Sequence, residues 1–518
     1  MKRLLILAVS LGFIWASSLS PSGAADTPKR GGTLTMAIRK DLSVMNPLVR
    51  TLSTDQAIRE LMFESFLGID RKGNIQPNLA ESWKISNDGL LYTFTLRKGV
   101  KFHDGQEMTA EDAKFAIDYT LNPKNGAYGL AKLNLVDRAE ATDRYTVRIF
   151  LKKASPAFLS SLINIQAFSV IPKESVQEGI DKPVKFPAGT GPFKFVEWQP
   201  GRSLVLGRHE EYWGHKAFLE RLILRPIADD STRITALRAG DIDLSERTPY
   251  EWVRQIVDGK LKGIGYAEAA SGGFRTLKFN VAGAPFDNKK LRQAVGHAIN
   301  KREILQAAYL GFGEPGDQKY SKGHVWYFEG ITSPAYDLNK ARALLKEAGY
   351  KGETIPIMAR QGADQETEAL TLQAQLKKIG MNIKLEVLES GSYNSRQRQG
   401  DFAFMFYGGS NDPDPSPTYA PDLLCEADLK KRSSNVTGYC DKEMDALLKK
   451  AETELDLEKR KSLFRQIVTK VAVDLPEVYI GSVPRYFTFR SPVKGFTTDD
   501  EGAFRSWSGG LHYTWLDK

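Results

Sequence analysis

The sequence predicts an α/β fold built from more than one domain. The chain has 518 residues, whereas single hydrophobic cores stop growing near about 250 to 300 residues. In the C-terminal half, helical and strand patterns alternate, which favours an α/β lobe with a largely parallel sheet. A hydrophobic content of 42% with 26% charged residues is ordinary for a globular chain and gives no sign of disorder.

Residues 1–25 have the features of an export signal. Lys2 and Arg3 precede a short apolar run, and small residues that end at Ala25 offer a cleavage point. The run is shorter than the roughly 20 residues that span a bilayer, which disfavours the alternative of an uncleaved anchor. We therefore expect an exported protein, periplasmic if the cell has an outer membrane.

The charge balance and the cysteines narrow the function classes. The formal charge of +9 falls by two to +7 once Lys2 and Arg3 are removed, and in an exported protein this favours anionic surfaces or ligands over nucleic acid. The only two cysteines are Cys425 and Cys440. Export favours a disulfide worth about 3 kcal/mol in the chain-entropy model. Two buried thiols are the alternative, and the spacing fits no zinc site.

The N-terminal half contains several strand and helix patterns. Thr33–Ile38 alternates as a strand, and the polar loop after it, which includes Met45, is a place where a ligand is commonly contacted. Within residues 80–105, two alternating runs flank Asn87-Asp88-Gly89 and predict a β-hairpin with one buried face. Thr109 and Asp112 then resemble a capping box at the head of a helix over residues 110–121.

Further motifs follow in order along the chain. A second hairpin is predicted from Gly189 through Leu206 and is closed by Glu211–Gly214. A helix from Thr232 ends at Gly240, a residue suited to a left-handed cap. It is followed by Asp241-Ile242-Asp243, and a strand from Phe274 leads to Pro285-Phe286-Asp287 and another helix.

These ordered motifs together resemble the family 5 extracellular solute-binding proteins, the peptide, nickel and opine class that serves ATP-binding cassette importers. The resemblance implies a two-lobed periplasmic-binding-protein-like clamp with an additional inserted domain and no chemistry of its own. It places a discontinuous first lobe at residues 26–65, 188–270 and 479–518, the inserted domain at 66–187, and the second lobe at 271–478. Chain crossings between the lobes would act as hinges.

Enzymatic patterns are weak, so we predict no catalytic residues, no cofactor and no metal. The GxGxxG run at residues 311–316 follows a helix, whereas a dinucleotide site needs a strand before it and a helix after it. His209 and His215 fit no ligand pair on one helix face, and we expect them at the surface. A secreted hydrolase would need a nucleophile with a base or paired carboxylates, and none is recognisable.

The run Tyr407–Pro415 is the main candidate for ligand contact. It follows the predicted strand 402–406 and should emerge at a carboxyl end, where α/β sheets bind ligands. In peptide-binding relatives the matching loop begins with an aromatic residue and carries an aspartate for the peptide ammonium. Here Tyr407 takes the aromatic place, Ser410 holds the aspartate's usual position, and Asp412 or Asp414 would substitute. The equal alternative is that both aspartates only cap a turn.

Other cleft candidates are aromatic: Phe274, Trp326, Tyr327 and Tyr393, with core packing as the alternative for each. Dipeptide-binding relatives place an arginine near Glu366, whereas this chain has Arg360 upstream, so longer peptides and cationic or sugar-like solutes stay open. The resemblance implies a monomer that delivers a small-molecule or oligopeptide ligand to a permease and its ATPases. A ligand-presenting role for a chemoreceptor shares the fold.

Overall fold

The computed structural model describes residues 27–49, 53–70, 72–165, 167–175, 187–269, 273–426, 434–498, 505–506 and 509–517. The predicted signal segment ending at Ala25 and the basic run at residues 430–432 lie outside the described residues. None of the described helices is long and apolar enough to cross a membrane.

The described residues up to Ser175 contribute seven strands and three α-helices. The strands are β1 (Thr33–Ile38), β2 (Leu67–Ile69), β3 (Ile75–Pro77), β4 (Ala80–Ile85), β5 (Leu91–Leu96), β6 (Val136–Asp143) and β7 (Thr146–Leu151). The helices are α1 (Ser53–Arg59), α2 (Ala110–Leu121) and α3 (Phe158–Ser161). Residues 187–269 add strands β8 (Phe193–Gln199), β9 (Ser203–Arg208), β10 (Arg221–Pro226), β11 (Leu244–Ser245) and β12 (Ile264–Ala269), with helices α4 (Asp230–Ala239) and α5 (Tyr250–Val257).

The C-terminal half adds the remaining elements. Its strands are β13 (Gly273–Phe279), β14 (Glu314–Pro315), β15 (Thr354–Arg360), β16 (Asn382–Leu388), β17 (Phe404–Ser410), β18 (Glu477–Ser482), β19 (Arg485–Arg490), β20 (Val493–Lys494), β21 (Arg505–Ser506), β22 (Gly509–Gly510) and β23 (Trp515–Leu516). Its helices are α6 (Lys289–Ala298), α7 (Lys301–Tyr309), α8 (Leu338–Glu347), α9 (Ala363–Lys377), α10 (Ser390–Gln399), α11 (Pro415–Leu423), α12 (Lys442–Thr453) and α13 (Leu457–Asp474).

Seven strands in the order β12-β19-β11-β1-β10-β9-β8 form the sheet of the first lobe. Strand β1 lies parallel to both β10 and β11. Its side chains Leu34, Met36 and Ile38 are fully buried in one core with residues of β10, because alternate residues of a strand share a face. Ala37 packs on the opposite face against Leu237 of α4, so the sheet is covered on both sides.

The inserted domain is a four-stranded antiparallel sheet in the order β4-β5-β7-β6 with α2 packed on it. The predicted hairpin is confirmed, with Trp83 opposite Phe94. The helix is confirmed with its predicted start, because Asp112 accepts hydrogen bonds from both the backbone and the hydroxyl of Thr109. Tyr92 and Phe94 are buried, which gives the sheet the single apolar face that the alternation predicts.

The second lobe is a six-stranded sheet in the order β14-β18-β13-β17-β15-β16. The prediction of a largely parallel sheet is wrong, because β13 runs antiparallel to both neighbours and only β15 pairs in parallel, with β16 and β17. The chain passes from the first sheet to the second between Ala269 and Gly273, and it returns between Ser482 and Arg485. The domain boundaries themselves stay predictions.

A buried carboxylate ties two segments of the first lobe together beside the inserted domain, against whose core Trp213 packs. Glu64 is fully buried and accepts hydrogen bonds from the Tyr212 hydroxyl at 3.1 Å and the Trp213 indole at 2.9 Å. These two aromatics belong to the run Glu211–Gly214 that closes the second hairpin, so this motif anchors the chain where it re-enters the first lobe.

Two histidines meet at the same junction, which corrects the expectation that His209 lies at the surface. His209 is buried, and its ring lies 4.9 Å from that of His103 in an edge-on contact. The His103 Nδ1 accepts a hydrogen bond from the Gly189 amide at 3.2 Å, which leaves Nε2 to donate to the Gly191 carbonyl at 3.0 Å. Burial lowers the pKa of His103 to about 3 and also lowers that of His209.

This buried pair predicts acid sensitivity of the fold. His103 is neutral in the folded state, whereas the unfolded chain takes up a proton below about pH 6.5, so the free energy of unfolding should fall as pH drops from 6.5 towards 3. We expect a loss of the order of 3 kcal/mol attributable to His103. Chemical denaturation of the wild type and His103→Asn across this pH range measures it. Parallel pH profiles for the two proteins would contradict the assignment.

Candidate functional site

A cavity of about 1260 Å³ lies between the inserted domain and the second lobe. On one side it is lined by α1, the β2–β3 hairpin and two segments of the inserted domain near residues 128–132 and 160–165. On the other side it is lined by the second lobe, chiefly residues 320–324, the end of β17 and the start of α11. Its walls therefore come from separate parts of the chain, as a clamp requires.

Strand β17 forms the central wall and continues further than the sequence predicts. The expected loop residues Tyr407–Ser410 are paired with β13, from Thr276 opposite Tyr407 to Gly273 opposite Ser410. Pairing with β13 therefore overrides the weak strand propensity of two glycines. A Cβ atom at position 408 would overlap the guanidinium of Arg275 on β13, so a larger residue here would displace the end of that side chain.

The end of β17 presents backbone groups on its outer edge. Strand β15 pairs with β17 only at Phe404 and Met405, so Phe406–Ser410 extend beyond the parallel pairing. The Tyr393 hydroxyl donates to the Phe406 carbonyl, which shows that this residue points away from β13. Because backbone groups alternate in direction along a strand, those of Gly408 and Ser410 point the same way, and both residues line the cavity.

Two of the predicted aromatic contacts line the cavity. Phe274 and Tyr407 lie on adjacent strands with ring centroids 6.3 Å apart. Behind them are two buried lysines: the Lys278 Nζ lies 4.3 Å from the centre of the Tyr407 ring, and the Lys319 Nζ lies 5.1 Å from that of Phe274. Each cation faces an aromatic ring and thereby fixes it.

The two lysines share one carboxylate. Lys278 and Lys319 donate to the two oxygens of Asp422 at 2.7 and 2.6 Å. Burial alone would raise the pKa of the Asp422 carboxyl, but the two ammonium groups outweigh burial and hold its pKa well below the usual range. Glu477, 3.7 Å from Lys319, supplies a second buried carboxylate. Two cations therefore face two anions beneath the cavity floor.

Asp412 lines the cavity and is paired across it. One oxygen accepts a hydrogen bond from the Lys132 Nζ of the inserted domain at 3.0 Å, and the other accepts from the Asp414 amide at 3.2 Å. The Asp412 carbonyl accepts from the Tyr320 hydroxyl at 2.7 Å. The carboxylate is therefore held in one orientation, facing the inserted domain.

Asp414 is placed differently and lies outside the cavity lining. It caps α11 by accepting from the Ser416 amide at 2.9 Å. Its two oxygens also accept from Arg460 at 2.6 and 2.7 Å, and both side chains of this pair are less than a tenth exposed. Asp414 therefore caps a turn, which was the alternative to a ligand contact. A contact between Asp414 and a ligand stays a prediction.

The remaining predicted contacts also lie away from the cavity lining. Trp326 packs in the core against Phe464, with ring centroids 5.6 Å apart. Tyr393 is fully buried beneath Met358 and Met405. Met45 packs against the core of the first lobe. The structure thus brings together three of the predicted contacts, Phe274, Tyr407 and Asp412. Five lie outside the cavity lining: Met45, Trp326, Tyr327, Tyr393 and Asp414.

One end of the cavity is cationic, which the sequence patterns did not predict. Arg360 ends β15, donates from Nη2 to the Asn394 Oδ1 at 3.0 Å and lies over the Tyr393 ring. Its buried Nε has no hydrogen-bond partner among the described residues. Arg398 on α10 lines the same end, and neither arginine forms an ion pair with a described carboxylate. Arg360 stands at the carboxyl end of a parallel strand, which was the available signal.

At the opposite rim the second lobe contacts the β2–β3 hairpin directly. The Val325 amide donates to the Lys72 carbonyl at 2.9 Å. Beside it, the His324 ring stacks on Tyr320 with centroids 4.5 Å apart and lies so close to Gly73 that a Cβ atom there would overlap it. Burial lowers the pKa of His324 to about 4, despite the nearby Asp70.

The disulfide is confirmed and supports one wall. Cys425 and Cys440 are bonded, and the loop that they close contributes Ser434 and Val436 to the cavity lining. Within it, the Asn435 side chain donates to the Leu424 carbonyl at 2.9 Å. The loop is thus tied covalently and by hydrogen bonds to the end of α11.

The described residues offer no group of three or more His, Cys, Asp or Glu side chains that could hold a metal ion. The GxGxxG run follows α7 and contains only the two-residue strand β14. It therefore lacks the strand before it and the helix after it that a dinucleotide site needs.

An α/β clamp with a polar cavity between its parts defines a solute-binding protein. Residues 74–429 match the family model described as bacterial extracellular solute-binding proteins, family 5, middle. The chain belongs to this family, which confirms the resemblance inferred from the motifs, and its relatives serve import by ATP-binding cassette transporters.

Three relatives illustrate the range of the family. The chain is 31% identical over 468 residues to the heme-binding protein A of Haemophilus influenzae, covering 83% of this chain and 84% of that protein. It is 28% identical over 465 residues to the glutathione-binding protein GsiB of Pectobacterium atrosepticum, covering 86% and 88%. The solved periplasmic binding protein DppA from Helicobacter pylori, in complex with the peptide STSA, matches with a TM-score of 0.74 and 28% identity over 95% of this chain and 99% of that chain.

Substitutions at the two neighbouring aspartates should lower the free energy of unfolding by unequal amounts. Asp414→Asn leaves the buried Arg460 without its counter-charge and should lower the free energy of unfolding by about 3 to 5 kcal/mol. Asp412→Asn breaks a half-exposed pair and should cost less than about 1 kcal/mol. Urea denaturation of both variants at pH 7 measures the difference. Equal losses would contradict the structural assignment of Asp414.

Proposed function

We propose that this protein captures a peptide or similar small polar solute in the cavity between its inserted domain and second lobe and delivers it to an ATP-binding cassette permease. The proposal rests on the polar cavity, whose walls come from separate parts of the chain. The chain crosses between the two large sheets twice, after Ala269 and after Ser482. A ligand that contacts both walls stabilises the closed arrangement and so shifts an open–closed equilibrium.

The backbone edge of β17 supports an extended ligand. Gly408 and Ser410 direct their backbone groups towards the cavity, and an extended peptide pairs with such an edge through its own main chain. Main-chain pairing gives affinity without reading side chains. The cavity volume of about 1260 Å³ exceeds the 300 to 1,000 Å³ typical of small-ligand sites and leaves room for varied side chains.

Arg360 and Arg398 support an anionic group on the ligand. A guanidinium binds a carboxylate through charge-assisted hydrogen bonds, and the buried Arg360 Nε has no partner among the described residues. The carboxylates that line the cavity, by contrast, already accept hydrogen bonds within the protein: Asp70 from Asn74, Asp412 from Lys132, Asp422 from two lysines, and Glu60 from Gln56. The donors to Asp70 and Glu60 are neutral amides, whereas Asp412 and Asp422 are neutralised by lysines. Arg360 and Arg398 therefore place positive charge at their own end of the cavity.

Among the ligands named for the relatives, this geometry fits glutathione and short peptides, since both combine an amide backbone with carboxylates. Heme offers carboxylates but no extended backbone to pair with β17. We propose that the protein is exported, with the signal removed near Ala25, acts as a monomer in the periplasm and binds its ligand without converting it.

Native mass spectrometry of the protein purified from the periplasm tests the function. We expect a retained ligand of peptide-like mass, and X-ray scattering of the stripped protein should show compaction when that ligand is returned. A protein that never compacts with a ligand shown to bind, or that converts the ligand chemically, would refute the proposal.

Arg360 yields a sharper prediction. For a bound peptide, replacing the terminal carboxylate by an amide should weaken binding to the wild type by about ten-fold or more, because a charge-assisted pair is lost. In Arg360→Gln the acid and amide forms should bind nearly equally. Isothermal titration calorimetry measures the four affinities, with Arg398→Gln as the control for the exposed neighbour. An unchanged acid-to-amide ratio in Arg360→Gln would show that the carboxylate lies elsewhere.

A further inference from the structure

The Lys132–Asp412 ion pair joins the two walls of the cavity. Lys132 follows the short helical turn Tyr128–Leu130 of the inserted domain, and Asp412 follows β17 of the second lobe. Both side chains line the cavity, and the lysine Nζ lies 3.0 Å from the Asp412 Oδ2. The lysine therefore occupies the place that a cationic ligand group would need in order to reach this carboxylate.

Both partners are fixed by their own surroundings. The Asp412 amide donates to the Thr418 hydroxyl at 2.9 Å, and its second carboxylate oxygen accepts the Asp414 amide. On the other wall, the Leu133 amide donates to the Gly129 carbonyl at 2.7 Å and closes the turn that carries Lys132. Each residue is therefore held in place on its own wall, and the ion pair forms where the two walls meet.

The charges at this point balance. The Lys132 side chain is 31% exposed and that of Asp412 is 18% exposed, so the pair is only partly screened by water. Burial alone would lower the pKa of Lys132, but the Asp412 carboxylate outweighs burial and raises it. Lys132 therefore stays charged at neutral pH. A second cation brought to Asp412 would meet a like charge at close range.

We infer that Lys132 sets the ligand specificity of this cavity by neutralising Asp412 from within, so that a solute with a free ammonium group at this end is rejected. This inference rests on the proposed function and deepens it. The ligand carries a neutral or anionic group beside Asp412 and its carboxylate at Arg360. The ligand class is thus a neutral-to-acidic, amide-containing solute, such as a peptide whose amino end is blocked.

Paired ligands test the inference. Tripeptides of one sequence are compared with a free and with an acetylated amino end, by calorimetry, on the wild type, Lys132→Met and Lys132→Arg. The wild type should prefer the acetylated form. In Lys132→Met the ratio of the affinity for the free tripeptide to that for the acetylated tripeptide should rise by at least about five-fold and favour the free amine, because Asp412 then lacks a cation. Lys132→Arg should behave as the wild type does.

Lys153→Met is the matched control. Lys153 also joins the inserted domain to the second lobe, through Glu452 at 2.6 Å, but it lies outside the cavity lining. A general loosening of the closed arrangement would affect both variants, whereas the change in ligand preference should appear in Lys132→Met alone. A preference for the free amine in the wild type, or equal ratios in the wild type and Lys132→Met, would overturn the inference.

A second measurement needs no peptide. Removing the lysine side chain in Lys132→Ala should leave Asp412 able to take up propylammonium, which would raise the melting temperature above that in sodium chloride of equal ionic strength. The wild type and the double variant Lys132→Ala/Asp412→Asn should show no such rise. If no peptide binds any variant, the proposed ligand class is wrong. The propylammonium experiment then decides by itself whether Lys132 neutralises Asp412, because a lack of stabilisation in Lys132→Ala would overturn that role.

Discussion

The binding surface depends on the pairing between β13 and β17. Strand β13 is the first strand after the chain leaves the first lobe, and it lies between β17 and β18 in the centre of the second sheet. Its pairing carries β17 through Ser410, well past the point where parallel pairing with β15 stops. The aromatic floor, the exposed backbone groups and the close approach of the Arg275 side chain to Gly408 all follow from this one register.

The ion pairs around the cavity are of two kinds, buried pairs that hold their side chains in place and a partly exposed pair between the two walls. Arg460 with Asp414, and Lys278 and Lys319 with Asp422, are buried ion pairs in which every charged group has a partner. Removing one member of such a pair leaves an uncompensated buried charge, which keeps these side chains in place. Lys132 with Asp412 is partly exposed and joins the two walls of the cavity, so this pair can change when the cavity opens.

Local patterns predicted the elements well. The hairpin around Asn87–Gly89, the capped helix α2 and the left-handed end of α4 at Gly240 are found where the sequence places them. Each is decided by neighbouring residues, and the ordered motifs were sufficient to identify the family. The mixed direction of the second sheet was not predictable, because strand pairing depends on partners up to about 200 residues apart, as for Thr276 and Tyr479.

The site was predicted only in part for the same reason. Tyr407 and Asp412 lie at or just past the carboxyl end of β17, where the carboxyl-end rule applies. Phe274 lies beside this end on β13. Lys132 lies in a turn of another domain, and nothing in its local sequence marks it. Trp326 and Tyr393 show the reverse problem, since an aromatic side chain that fills a core has the same local pattern as one that meets a ligand.

The covalent tie between Cys425 and Cys440 has a practical consequence for producing the protein. The loop that it closes supplies Ser434 and Val436 to the wall of the cavity, and Val436 and Tyr439 also pack in cores of the second lobe. Material made in the reducing cytosol of an expression host would lack the covalent tie that holds this wall. Recombinant preparations meant for ligand screening should be secreted or oxidised before use.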